Sequence, residues 1–173
     1  MGGQYHWIDV SREEIIQAID NPAGKVLTAA IFDAFIANGL TYKVRAQAKS
    51  KKSSARDGYT IYFYIKKSKE SIIINTIYYK MQLRINDRST FEKLDDYSEN
   101  VRKAILIDSV RSPDDDDDNS YVFTYHGTEY RLCYQLYENF KFTTITEEDI
   151  DSLMDIINRE IIFGKPRKKQ IQR

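Results

Sequence analysis

Few residues in this chain could carry out chemistry. Its only imidazoles and thiol are His6, His126 and Cys133. A zinc centre takes four such ligands, or three and a water, and these are scattered, so no metal site is expected from them. Five consecutive aspartates, Asp114 to Asp118, concentrate negative charge. A calcium loop needs a glycine at its turn and a closing glutamate; the run has neither and reads as a solvated charge run. Cys133 stands near Arg131 on the polar side of its segment, where a cation favours the thiolate. No oriented base accompanies it, and His126 reads as a turn residue, so nucleophilic catalysis is not expected.

Phosphate-cradling loops of the Walker or dinucleotide pattern are also absent. A metal-dependent nuclease needs clustered carboxylates. The basic half of the chain offers only Asp57 and Asp87, at strand ends. Nuclease chemistry is therefore the third-ranked reading, behind two kinds of binding protein. The expectation is a protein with no enzymatic activity of its own and no cofactor.

Binding chemistry is better represented. In "GYTIYFYIKK", residues 58 to 67, Tyr59, Ile61, Phe63 and Ile65 alternate with Thr60, Tyr62, Tyr64 and Lys66. The first set is a core face and the second places two tyrosines and a lysine opposite it. "TYKVRAQA" alternates likewise, turning Lys43, Arg45 and Lys49 outward. "IIINTIYYKMQLRI" reads as one strand that presents Tyr78, Lys80 and Arg84. If a hairpin near Lys69 pairs Tyr62 with Thr76, all these residues share one side of a sheet. Lys51 and Lys52 lie in the polar loop at its edge. Aromatic rings framed by cations are how single-strand binders hold nucleic acid: bases stack, and cations follow the phosphates. "RDGYTIYFY" departs by one residue from the aromatic strand motif of RNA-recognition domains, and the order of elements differs, so no family is assigned. The competing explanation is packing: tyrosine suits a half-buried pleated surface, and Tyr62, Tyr64 and Tyr78 would then lie beneath the C-terminal helix.

The elements that must position these residues are legible from caps and periodicity. Ser11 and Glu14 form a capping box before a helix from about Arg12 to Ile19. Asn21, Pro22 and Asn38-Gly39 bracket a second helix with a wide apolar stripe. The strands 41–49, 58–66 and 72–85 follow. Ser89 and Glu92 suggest another capping box, with a helix running to about Leu106 that buries Phe91, Leu94, Val101 and Ile105. "YVFTYHGTEYRLCYQLY" reads as a hairpin turning at Gly127-Thr128. Thr146 caps a last helix with Ile150, Leu153, Met154, Ile157 and Ile161 on one stripe, ended by Gly164.

The order ααβββαββα predicts a single α+β domain over residues 1–164, with a mostly antiparallel sheet of about five strands and a basic tail over 165–173. At 173 residues the chain can bury a core without disulfides, and one cysteine suits a reducing compartment. With no apolar run long enough for a leader or a span, a cytoplasmic protein without a membrane partner is expected. The zero net charge conceals a segregation. Residues 41–84 hold eleven bases against two acids, a net of +9, whereas residues 92–118 hold ten acids against four bases, a net of −6. The leading expectation is nucleic-acid binding, to single strands or structured RNA. Lys43, Arg45, Lys49, Lys51, Lys52, Lys66, Lys80 and Arg84 would meet phosphates, and Tyr62, Tyr64 and Tyr78 would stack. The alternative is a protein-binding module, such as an inhibitor or accessory subunit of a nucleic-acid enzyme, since tyrosine and arginine are also hot-spot residues.

Overall fold

The computed structural model describes residues 7–47, 58–66, 69–77, 80–109, 121–132, 137–141 and 145–164. Helices α1 (Arg12–Gln17) and α2 (Pro22–Ala37) form where the caps predict. Ser11 Oγ accepts from the Glu14 amide at 3.2 Å, and Asn21 Oδ1 accepts from the Gly24 amide at 3.0 Å. Helix α1 stops two residues before the expected Ile19, and α2 ends at Ala37, followed by Gly39, whose φ of 66° is the left-handed conformation that glycine tolerates.

The sheet is antiparallel throughout. Its strands are β1 (Trp7–Ile8), β2 (Thr41–Gln47), β3 (Gly58–Tyr64), β4 (Ile72–Asn75), β5 (Lys80–Arg84) and β8 (Tyr137–Lys141), adjacent in that order. Between β5 and β8 the chain forms a 3-10 helix (Arg88–Asp96), α3 (Glu99–Ser109) and a separate hairpin of β6 (Tyr121–Tyr125) and β7 (Thr128–Leu132). Helix α4 (Glu147–Gly164) closes the described chain. The α+β class and the helix–sheet succession are as the sequence predicts. Among the described residues no helix is long and apolar enough to cross a membrane.

Several local expectations are corrected. Residues 72–85 are two strands, because Asn75 Oδ1 accepts from the Ile77 amide at 2.9 Å and turns the chain. Tyr62 pairs with Ile73 rather than Thr76, so β4 is offset by an odd number of positions from the expected pairing. Ile72 and Ile74 therefore face the core, and Ile73 sits half-buried on the other side. The helix expected from Ser89 to Leu106 is broken at Tyr97–Ser98. Asp87, not Ser89, caps the 3-10 turn, accepting from the Ser89 amide at 3.1 Å, and Ser98 opens α3. Phe91, Leu94, Val101 and Ile105 are nevertheless buried as predicted. In the β6–β7 hairpin Tyr125 pairs with Thr128, so the turn is His126-Gly127, both at positive φ (47° and 79°). The shift from the expected turn is two positions in pairing, so Phe123 and Tyr130 still share a face, stacked at 5.5 Å. The hairpin lies outside the main sheet; β8, which the sequence reading missed, takes the place beside β5.

One face of the sheet carries the core. Val44, Ile61, Phe63, Ile72, Ile74, Met81 and Leu83 pack with Leu27, Ile31, Phe32 and Phe35 of α2 and Leu153, Ile156, Ile157 and Ile161 of α4. Phe63 meets Phe32 and Phe35 with ring centroids 5.1 and 5.0 Å apart. Gly58 opens β3 because a Cβ there would stand 2.5 Å from Thr76 Oγ1 and 2.6 Å from Ile77 Cγ1.

Helix α4 is fastened by a buried carboxylate at each end. Asp149, 2% exposed, accepts from Ser98 Oγ at 2.6 Å, Asn100 Nδ2 at 3.1 Å and the Thr146 amide at 3.0 Å. Thr146 Oγ1 accepts in return from the Asp149 amide at 3.3 Å, so one side chain ties the starts of α3 and α4 together. Burial alone would raise the Asp149 pKa, but these donors hold it below its ordinary value. Glu160, 3% exposed, accepts from the amides of Asn86 and Asp87, the latter at 2.8 Å, where β5 leads into the 3-10 turn. Here burial wins over the amides and pushes the carboxyl up to about 7.

The two carboxylates predict opposite pH signatures. Folded Glu160 holds its proton more tightly than the unfolded chain, so its contribution is present at pH 4.5 and below and is lost as pH rises through about 7. Urea unfolding of the parent and of Glu160→Gln between pH 4.5 and 7.5 checks this: the substitution should remove a downward slope of order 2–3 kcal/mol. Folded Asp149 is more acidic than the unfolded chain, so its contribution is present at neutral pH and lost as pH falls through its lowered folded value. Asp149→Asn should cost about 2–4 kcal/mol at pH 7 in the same assay, because it sets an amide donor against existing donors.

Candidate functional site

The register decides what shares the outer face. One row across the sheet is Arg45, Thr60, Asn75 and Lys80; the next is Lys43, Tyr62, Ile73 and Gln82. Tyr64 and Arg84 extend the same side, two residues further along their strands. Of the predicted residues, Lys43, Arg45, Tyr62, Tyr64, Lys80 and Arg84 are thus brought to one face. Lys66 is exposed at the hairpin, bridged to Lys69. Lys49, Lys51, Lys52 and Tyr78 lie outside the described residues, as do Cys133 and the Asp114–Asp118 run. None of the outer-face side chains of β2 to β5 belongs to the core cluster, and the α4 residues that pack do so on the other face. No acidic residue falls on the outer face of β2 to β5.

The sequence reading missed Trp7. Strand β1 is only two residues long, too short for alternation to reveal it, and it sets Trp7 opposite Arg45. The indole is 47% exposed and meets the Tyr62 ring edge-on, centroids 5.5 Å apart at 82°. Arg45 lies over both rings, 5.2 Å from Trp7 and 4.6 Å from Tyr62, and its Nη2 donates to the Tyr62 hydroxyl at 2.5 Å. Lys43 reaches over Trp7 at 5.1 Å and Tyr64 at 5.6 Å. Burial, and then the charge of Glu70, raises the Tyr64 phenol above its ordinary value, keeping it a neutral hydroxyl. Beside this cluster an open groove of about 390 Å³ runs between Arg45 and Tyr62 on one side and Lys80 and Gln82 on the other.

Other titratable groups among the described residues join elements to one another. His126 Nε2 lies 3.0 Å from Asp95 Oδ1, which also accepts from the Tyr125 hydroxyl at 2.5 Å; this exposed set pins the β6–β7 turn to the 3-10 helix. Tyr97 donates to Asp155 at 2.8 Å, and Arg159 bridges Asp155 and Ser89, a network that docks α4. Among the described residues no group of three or more His, Cys, Asp or Glu side chains is placed to hold a metal. The chain matches no family model, no curated protein and no solved structure.

Arg45 ties the cluster together, so its loss should be felt in both stability and spectrum. Arg45→Ala is expected to cost about 1–2 kcal/mol in urea unfolding, the sum of two partly shielded cation–π contacts and a hydrogen bond. The emission of Trp7, the sole tryptophan, should shift in the folded protein. An unchanged spectrum would mean that the guanidinium does not sit on the indole.

Proposed function

We propose that this protein binds single-stranded nucleic acid across the outer face of its sheet. The observation that carries the reading is the company of Trp7, Tyr62 and Tyr64 with Lys43, Arg45, Lys80 and Arg84 on one face, where strands β2 to β5 carry no carboxylate. Rings supply stacking worth about 1–3 kcal/mol per base, and cations supply phosphate contacts. Arg45, already flat against aromatic rings, is also a surface on which a base stacks. Duplex DNA suits the face less well. Six strands at about 4.8 Å spacing make a surface about 24 Å across, while the major groove is about 12 Å wide.

Fluorescence anisotropy with labelled single-stranded RNA, single-stranded DNA and duplex DNA tests the reading, at low and near-physiological salt. Single strands should bind more tightly than duplex, with affinity falling steeply as salt rises. Trp7→Ala/Tyr62→Ala, with its fold checked, should weaken binding by about tenfold or more. No binding at low salt would overturn the proposal and leave the aromatic and arginine cluster as a protein-binding surface, whose affinity salt affects little.

A further inference from the structure

We infer that the groove beside Tyr62 is a phosphate seat, in which Arg45 and Lys80 hold one phosphate group of a bound strand from opposite walls. The inference rests on the single-strand reading above and adds to it a defined subsite. The row Arg45, Thr60, Asn75 and Lys80 crosses the groove from β2 to β5. Its two ends are cations, three strand spacings or about 14 Å apart at the backbone. Its two middle residues are neutral and short, so the long side chains at the ends stand over a hollow. In the next row Tyr62 and Gln82 continue the two walls. The volume of about 390 Å³ is at the small end of the range of about 300–1,000 Å³ typical of small-ligand pockets. None of the residues that line it is acidic. A concave site with cations on both walls and no carboxylate concentrates positive potential and draws an anion.

On one wall the donors are already ordered. Arg45 lies 4.6 Å from the centre of the Tyr62 ring, and its Nη2 donates to the Tyr62 hydroxyl at 2.5 Å, which holds the guanidinium in place. A guanidinium carries five N–H donors in a fixed fork that matches two phosphate oxygens. Lys80, exposed on the other wall, brings a point charge on a flexible stem that can close over what the fork holds. Between them Thr60, 8% exposed, adds a hydroxyl. Asn75 Oδ1 accepts from the Ile77 amide, so its Nδ2 is the end suited to an anion. A phosphate accepts hydrogen bonds on every side. These donors therefore need only converge, and no particular edge of the ligand has to be presented to them.

The test is a titration of the isotope-labelled protein, followed by amide chemical shifts at constant ionic strength. The titrants are inorganic phosphate, the trinucleotide UpUpU and a triglutamate peptide. Phosphate and trinucleotide should move the same signals saturably, those of Thr60, Asn75 and Gln82 with the two side-chain amides. Lys80→Ala should weaken the trinucleotide by about tenfold, the loss expected of one charge-assisted contact, and Lys80→Arg should restore most of it. Arg45→Lys keeps the charge but loses the fork, and should weaken it several-fold. Lys103→Ala, which removes an exposed lysine on α3, should change nothing. Shifts scattered over the surface, or parent-like binding by both Lys80→Ala and Arg45→Lys, overturns the inference. Equal shifts with triglutamate overturn the assignment to phosphate and mark a site for an acidic peptide. Strands that bind while these signals stay still would remove the seat and leave the single-strand reading standing. Failure of every strand to bind would remove that reading itself; inorganic phosphate moving the same signals would then mark a seat for the free ion.

Discussion

The alternation of side chains along β3 is the constraint on which the rest depends. This seven-residue strand is paired along its length with β2 and over its centre with β4, so neither neighbour can slip without turning its own side chains over. Ile61 and Phe63 are fully buried against α2 and α4, which fixes Tyr62 and Tyr64 on the opposite side. The beginning of the strand is locked as well. Tyr59 and Thr76 exchange bonds, the Tyr59 amide to Thr76 Oγ1 at 2.9 Å and the Thr76 amide to the Tyr59 carbonyl at 3.0 Å. Gly58 leaves room for that turn to fold against it, and no other residue would. A slip of one residue would drive two tyrosines into the helices and two core residues into water, a loss of several kcal/mol of burial.

Among the described residues, helices cover one face of the sheet, and the other is packed by its own side chains. Helix α4 supplies much of the cover, and its attachment is polar at both ends and apolar in the middle. Asp149 satisfies donors from α3 and from its own first turn. Glu160 takes two backbone amides just past the end of β5. Between them Leu153, Ile156 and Ile157 are fully buried. The carboxylates therefore set where the helix lies, and the apolar stripe supplies most of the energy.

How much of this was legible in the sequence depended on the range of the interaction that decided each feature. Caps at Ser11, Asn21 and Thr146 act within one helical turn and were readable. The faces of β2 and β3 followed from period two. The break at Tyr97–Ser98 was not readable, because it exists to let Ser98 meet Asp149 and Ser152, about fifty positions away in the chain. The Asn75 turn hid inside a long apolar alternation that looked like one strand. Two errors then cancelled. The odd offset of β4 against β3 reverses parity, and the unforeseen turn between β4 and β5 restores it, which is why Lys80 and Arg84 still share a face with Tyr62. Trp7 entered the site only with the register, since nothing local marks it as more than a surface residue.

The outer face is not a bare platform. Arg45 covers two rings and Lys43 reaches two, so the aromatic faces are already occupied by cations of the same molecule. These contacts spread the cations over the aromatic rings and limit the rotamers available to long side chains, which lowers the entropy cost of ordering them for a partner. A stacked base would displace part of each cation–π contact, worth about 0.5–2 kcal/mol, and replace it with stacking of about 1–3 kcal/mol. The exchange is close to even for each ring. Net affinity for a strand would therefore come chiefly from the phosphates drawn to Lys43, Arg45, Lys80 and Arg84.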